Sequence, residues 1–262
     1  MIKRTLSSAL LYTLAFNLTF FIQELFLVIP KALTPGLHPR LFHNNHTWEG
    51  SNPLAGLLQG TGALATSLSG LICLQLLGRR PWHPGTRLFL LWMAYCGLYM
   101  ALPQVILGAA SPRSDVGVAM NYLGLTSLER TTAALVALLL MPLAAWPLAR
   151  AFLGFADDPA QLASGRARAR FVLQIATVPA VLAIALIVPF RVPREAIEVV
   201  AVPAVVSVFG MLWVQAAAWR SAAVNVRGAA AASSAPIALP LAALAALLLV
   251  FQLVLRRGIS FG

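Results

Sequence analysis

The sequence predicts an all-α protein, a polytopic transmembrane helical bundle of about seven spans, with six also possible. Three observations predict it. The chain is 60% hydrophobic and only 10% charged over its 262 residues, where a soluble domain carries about a quarter charged residues. Its mean hydropathy is +0.82. Its apolar residues gather into runs of about 20 residues, the length a helix needs to cross hydrocarbon, separated by short polar or arginine-bearing breaks. The residue alternation that marks a membrane β-barrel is absent.

The runs, in order, are 6–29, 54–77, 87–109, 131–153, 171–190, 197–219 and 236–255. The first follows Met1-Ile2-Lys3-Arg4 and continues past Asn17 to Ile29 with no small-x-small cleavage site. It therefore reads as a retained span and not a signal peptide. Asn17 and Glu24 lie seven apart on it and share a face, with Gln23 about 100° away. Glu24 is the acidic residue well inside a predicted span, with Glu198 at the very edge of another. A charge at mid-bilayer costs about 2.5–3.5 kcal/mol, so Glu24 is expected against a polar interior or the interface.

The second run carries Gly56 and Gly60, then Gly62, Thr66 and Gly70 at every fourth residue. Small residues at that spacing let another helix backbone approach closely. Runs three to six contain Pro103, Pro142, Pro147, Pro179 and Pro203. Each removes a backbone donor and can kink its helix. Cys73 and Cys96 both fall inside runs and read as small packing residues. No break is long enough to fold alone, so residues 1–262 form one integral membrane domain. Residues 30–53 form a polar loop segment, and residues 220–235 a flexible linker before the last span.

A formal charge of +11 invites a nucleic-acid reading, but the basic residues are scattered among the breaks. That distribution is what orients a membrane protein, so membrane lipids are expected as partners and nucleic acid is not. With a cytoplasmic N-terminus, Lys3, Arg4, Arg79, Arg80, Arg87, Arg150, Arg166, Arg168, Arg170, Arg220 and Arg227 fall inside. Lys31, Arg40, Arg113, Arg130, Arg191, Arg194, Arg256 and Arg257 fall outside. The larger inner group favours that orientation, in a bacterial inner (cytoplasmic) membrane.

Three of the four histidines lie in the 30–53 segment, at His38, His43 and His46. His43, His46 and Glu49 stand at i, i+3 and i+6. On one helical turn or a tight loop, two imidazoles and a carboxylate can meet a single zinc or other divalent ion with a position left open for water. Asp115, in a second outer break, either completes such a site or caps a helix. The same loop residues also suit an ordered water-facing segment, with Trp48 at headgroup level. The polar face of the first span can receive His43 or His46 folding back from the loop.

Two stretches, Gln23-Glu24-Leu25-Phe26-Leu27 and Gly60-Thr61-Gly62-Ala63, resemble in their order features of the site-2-protease-like intramembrane metallopeptidases. That family carries His-Glu-x-x-His in a spanning helix and a metal-binding Asp in a later one, and uses zinc to cut peptides within the membrane. Only Glu24 matches the motif; Gln23 and Leu27 stand where the histidines belong. The resemblance covers the first third of the chain. It implies a member without the usual zinc site, and supports an inactive scaffold at least as well as a protease.

The leading functional expectation is a membrane protein whose job is binding or assembly, such as an accessory subunit beside partner subunits of a membrane complex. The alternatives are a metal-dependent intramembrane hydrolase, with His43, His46 and Glu49 as ligands and Glu24 as general base, and a small-solute permease with its path near Asn17 and Glu24.

Overall fold

The computed structural model describes residues 2–79, 82–193, 197–222 and 237–261. In chain order the elements are α1 (Ile2–Ala32), β1 (Leu37–Leu41), β2 (His46–Gly50), α2 (Ala55–Leu58), α3 (Thr61–Arg79), α4 (Pro84–Ala110), α5 (Asp115–Tyr122) and α6 (Ser127–Leu153). They continue with α7 (Gly165–Val172), α8 (Val178–Arg191), α9 (Val202–Arg220), α10 (Ala238–Leu249) and β3 (Ile259–Ser260). Among the described residues, seven helical stretches are long and apolar enough to cross a membrane, α2–α3 and α7–α8 each counting as one. The chain is an all-α bundle and an integral membrane protein. From residue 223 onward the linker expected over 220–235 lies outside the described residues.

Small residues decide how the first spans pack. A Cβ on Gly97 of α4 would lie 2.6 Å from the Gly70 Cα and from the Thr66 carbonyl oxygen of α3. One on Gly62 would lie 2.8 Å from Leu27 of α1. The Gly62-Thr66-Gly70 stripe therefore serves contacts within the chain, as close backbone approach requires.

Proline explains two irregularities. Pro179 and Pro203 follow the π-helical turns Leu173–Thr177 and Ile197–Ala201. Proline supplies no N–H, so the preceding turn loses its ordinary donor and widens. Pro103 and Pro142 sit inside helices that continue through them.

The middle of the bundle is aromatic. Tyr12 and Trp92 meet edge-on at 4.7 Å between centroids, and Trp92 meets Phe152 at 4.9 Å. Their polar tips are satisfied across helices. Tyr12 Oη pairs with Ser207 Oγ at 2.7 Å, and Tyr95 Oη donates to the Val206 carbonyl at 2.6 Å. Tyr99 Oη donates to the Met141 carbonyl at 2.9 Å. Buried Tyr and Trp need such partners, and these tie α1, α4, α6 and α9 into one plug.

At the C-terminal end of α1 the chain forms a small antiparallel sheet of order β2-β1-β3. Leu37 faces Gly50 and Leu41 faces His46, while Arg40 faces Ser260. Leu37, Pro39 and Leu41 alternate with more exposed residues; Leu37 and Leu41 are buried, so β1 turns its apolar face to the bundle. The last residues of the chain are thereby stitched to its first loop: Phe261 N–H donates to the Pro39 carbonyl at 2.9 Å.

Candidate functional site

The sheet carries a polar cluster back onto α1. His46, first residue of β2, places Nδ1 2.8 Å from Glu24 Oε2. The two side chains are 7% and 6% exposed. His46 Nε2 lies 3.1 Å from Gln59 Oε1. Lys31, one residue before the end of α1 and fully buried, donates from Nζ to the same Gln59 Oε1 at 2.9 Å and to the Leu27 carbonyl at 2.8 Å. Its ammonium also stands 4.9 Å from the Trp48 ring centroid, within cation–π range. Trp48 in turn stacks on His46 at 5.9 Å.

Hydrogen-bond chemistry fixes the protons of this cluster. An ammonium only donates, so Gln59 must turn its oxygen to Lys31. The same oxygen then requires that His46 Nε2 carry a hydrogen. A further proton must lie between Nδ1 and Glu24, because neither nitrogen can face an oxygen bare. Glu24 and His46 together are therefore neutral as a pair, and Lys31 is the cation behind them.

This pair is part of the wall of a cavity of about 610 Å³, within the range of small-molecule sites. Phe20, Gln23 and Glu24 come from α1, Asn44, Asn45 and His46 from the hairpin, and Arg191 from the end of α8. The rest of the lining is mostly apolar, with Met100, Pro103 and Leu107 from α4 and Val202, Val205 and Val206 from α9. Arg113, Ser114 and Asp115 stand where α4 passes into α5. Tyr99 is also part of the lining, so the aromatic plug of the bundle forms the floor. Gln104 Nε2 donates to Gln23 Oε1 at 2.9 Å, tying α4 to α1.

Arg191 packs its guanidinium 3.9 Å from the Phe20 ring centroid, and Asn44 Nδ2 donates to the Arg191 carbonyl. Burial pushes the Asp115 carboxyl above the ordinary carboxylate range; neighbouring Glu24 adds to the rise, while His46 and Lys31 oppose it. Desolvation disfavours the charged form, and here it outweighs the opposing influence of His46 and Lys31.

The residues singled out in the sequence separate into two groups. Glu24, His46 and Asp115 share the cavity. His43 does not join them: its Nε2 meets the Val192 carbonyl at 3.1 Å and its ring packs near Phe251. Glu49 is exposed on β2, opposite His38. The spacing of three that would align His46 and Glu49 on a helix puts them on opposite faces of a strand. Among the described residues, no three His, Cys, Asp or Glu side chains gather closely enough to hold a metal ion.

Comparison with protein-family models, with curated proteins and with solved structures returned no match. At the two histidine positions of the metallopeptidase motif this chain offers other side chains. Gln23, at one histidine position of that motif, is spent on Gln104, and Leu27, at the other, is a buried hydrocarbon. These donors do not suit zinc, which takes imidazole, thiolate or carboxylate.

Lys31, Gln59, Gln104 and Arg191 are the site residues that sequence reasoning missed. Lys31 had a readable signal, since it lies seven residues after Glu24 and so on the same face of α1. Gln104 follows Pro103 at the end of its span. Gln59 had no comparable signal.

Proposed function

We propose that this membrane protein binds a small amphipathic molecule in the cavity between α1, α4 and α9, using the Glu24–His46 pair as part of its polar wall. One observation carries the reading. In a chain whose spans hold few charged groups, Gln23, Glu24, His46, Gln104 and Asp115 line a single cavity whose remaining lining is largely hydrocarbon. Burying such groups is costly, and an amphiphile matches both kinds of lining. With the N-terminus cytoplasmic, the cavity belongs to the outer half of the bilayer. Tyr12, Trp92, Tyr95 and Tyr99 close the bundle beneath it, which favours holding a ligand over conducting one.

The test is to purify the protein in mild detergent, denature it, and identify co-extracted small molecules by mass spectrometry. About one equivalent of an amphiphile is expected from the wild type and little from Val205→Trp, which obstructs the cavity. Equal recovery from both, or none from either, would overturn the proposal.

A further inference from the structure

The cavity has a side as well as a floor. Leu107 of α4 and Val202 and Val205 of α9 are part of its lining, yet they are 53%, 38% and 43% exposed. Among the described residues α9 packs chiefly on α6, α7 and α8 and only lightly on α4, so its outer end and α4 border an opening. Both edges are apolar and both face the hydrocarbon. A molecule reaching the polar wall through this opening arrives from the bilayer, chain trailing and headgroup first.

The mouth specifies the headgroup. Arg113 and Asp115 stand two residues apart, and neither side chain makes a hydrogen bond or ion pair with another described residue. The residue between them is already engaged: Ser114 Oγ accepts from the Gly117 N–H at 3.2 Å and donates to the Ser111 carbonyl at 2.9 Å. A guanidinium and a carboxylate two residues apart on the same lining, neither with a hydrogen-bond partner among the described residues, complement a ligand that carries an anion and a cation a short linker apart. An arginine fork suits phosphate, and a carboxylate desolvated at a cavity wall gains most from a cation that also donates hydrogen bonds.

We propose that the cavity takes the headgroup of a phospholipid bearing a primary amine, phosphate on Arg113 and ammonium on Asp115, with its chain leaving between α4 and α9. This rests on the reading that the cavity holds an amphiphile, and goes beyond it in naming the class. A quaternary ammonium headgroup has the same charges but no N–H, and is bound less well. A glycerol headgroup lacks the cation altogether.

The experiment uses the full chain in nanodiscs of equimolar phosphatidylethanolamine, phosphatidylcholine and phosphatidylglycerol, with lipids retained on release counted by native mass spectrometry. Phosphatidylethanolamine is expected to exceed each of the others by about tenfold, the worth of one charge-assisted hydrogen bond. Asp115→Asn should bring it down to the phosphatidylcholine level, whereas Arg113→Gln should weaken both alike. Val205→Trp should abolish retention of all three, with Leu107→Trp standing in should that variant not fold. Retention that is equal for the three lipids but lost in the tryptophan variants would overturn the headgroup assignment and leave the cavity reading intact. Retention indifferent to both tryptophan variants would overturn the cavity reading itself.

Discussion

Replacing Glu24 and His46 singly and together tests whether the cluster is one unit. Glu24 and His46 are hydrogen-bonded at 2.8 Å with both side chains nearly buried. Two magnitudes compete. Breaking a buried ion pair from one side costs about 3–5 kcal/mol, mostly because a charge is left unpaired. Hydrogen bonds between membrane helices average only about 0.6 kcal/mol, with a maximum near 1.7. The pair lies on a cavity wall and not in hydrocarbon, so solvation softens the first figure. Yet Lys31 sits behind it, and removing Glu24 leaves His46 and an ammonium on the same Gln59 oxygen. We therefore expect Glu24→Ala to cost about 3 kcal/mol. His46→Ala should cost nearly as much, and the double variant about 2 kcal/mol less than the sum of the two, the scale of one charged hydrogen bond. Reversible unfolding in mixed micelles gives all three values. Additivity within about 0.5 kcal/mol, the behaviour of independent sites, would refute the coupling and with it the proton assignment.

The close approach of α3 and α4 predicts that Gly97→Leu cannot be accommodated, because the atoms met at 2.6 Å are backbone. A loss of at least about 3 kcal/mol, the upper range of overpacking, should appear in the same unfolding assay, and wild-type stability would contradict the packing. For Asp115 the sign follows from a folded-state pKa raised by burial: the folded state holds the proton more tightly, so stability falls as pH rises through the window above the ordinary carboxylate range. In lipid-free detergent, Asp115→Asn should accordingly be more stable than the wild type at neutral pH, with the gain vanishing on acidification below that range; melting temperatures across pH would show it, and a pH-independent difference would count against it. Seven spans put the chain ends on opposite sides. In a background with Cys73 and Cys96 replaced by alanine, Ser260→Cys should react with an impermeant maleimide on intact cells and Lys3→Cys only after permeabilisation, and the reverse would invert the orientation.

The bundle was legible because one physical demand dominates it. In hydrocarbon every backbone group must be satisfied within its own segment, so long apolar runs can only be helices, and the seven runs match the seven helical stretches to within a few residues. The site was half legible. Glu24 stands out as a charge in a span, and His46 does fold back onto it, but a helical turn or tight loop was the expectation for the segment around His46, and a strand was not. The signal for a hairpin was present: Leu37, Pro39 and Leu41 alternate with polar or charged residues, and Asn44-Asn45 supplies a turn before His46. A period of two separates His46 from Glu49, where a period of 3.6 would have joined them. Lys31 and Arg191 were read as orienting cations at span ends, and both are buried. Charge alone cannot distinguish a lysine that meets headgroups from one that satisfies its donors on Leu27, Gln59 and Trp48.

The most direct measurement is an experimental density map of the protein in a lipid nanodisc, inspected between Glu24, Asp115 and Val205. The account predicts non-protein density there, with its polar end at Arg113 and Asp115 and a tail emerging between Leu107 and Val205. A cavity closed by α4 and α9 meeting directly, with those side chains interlocked, would contradict it.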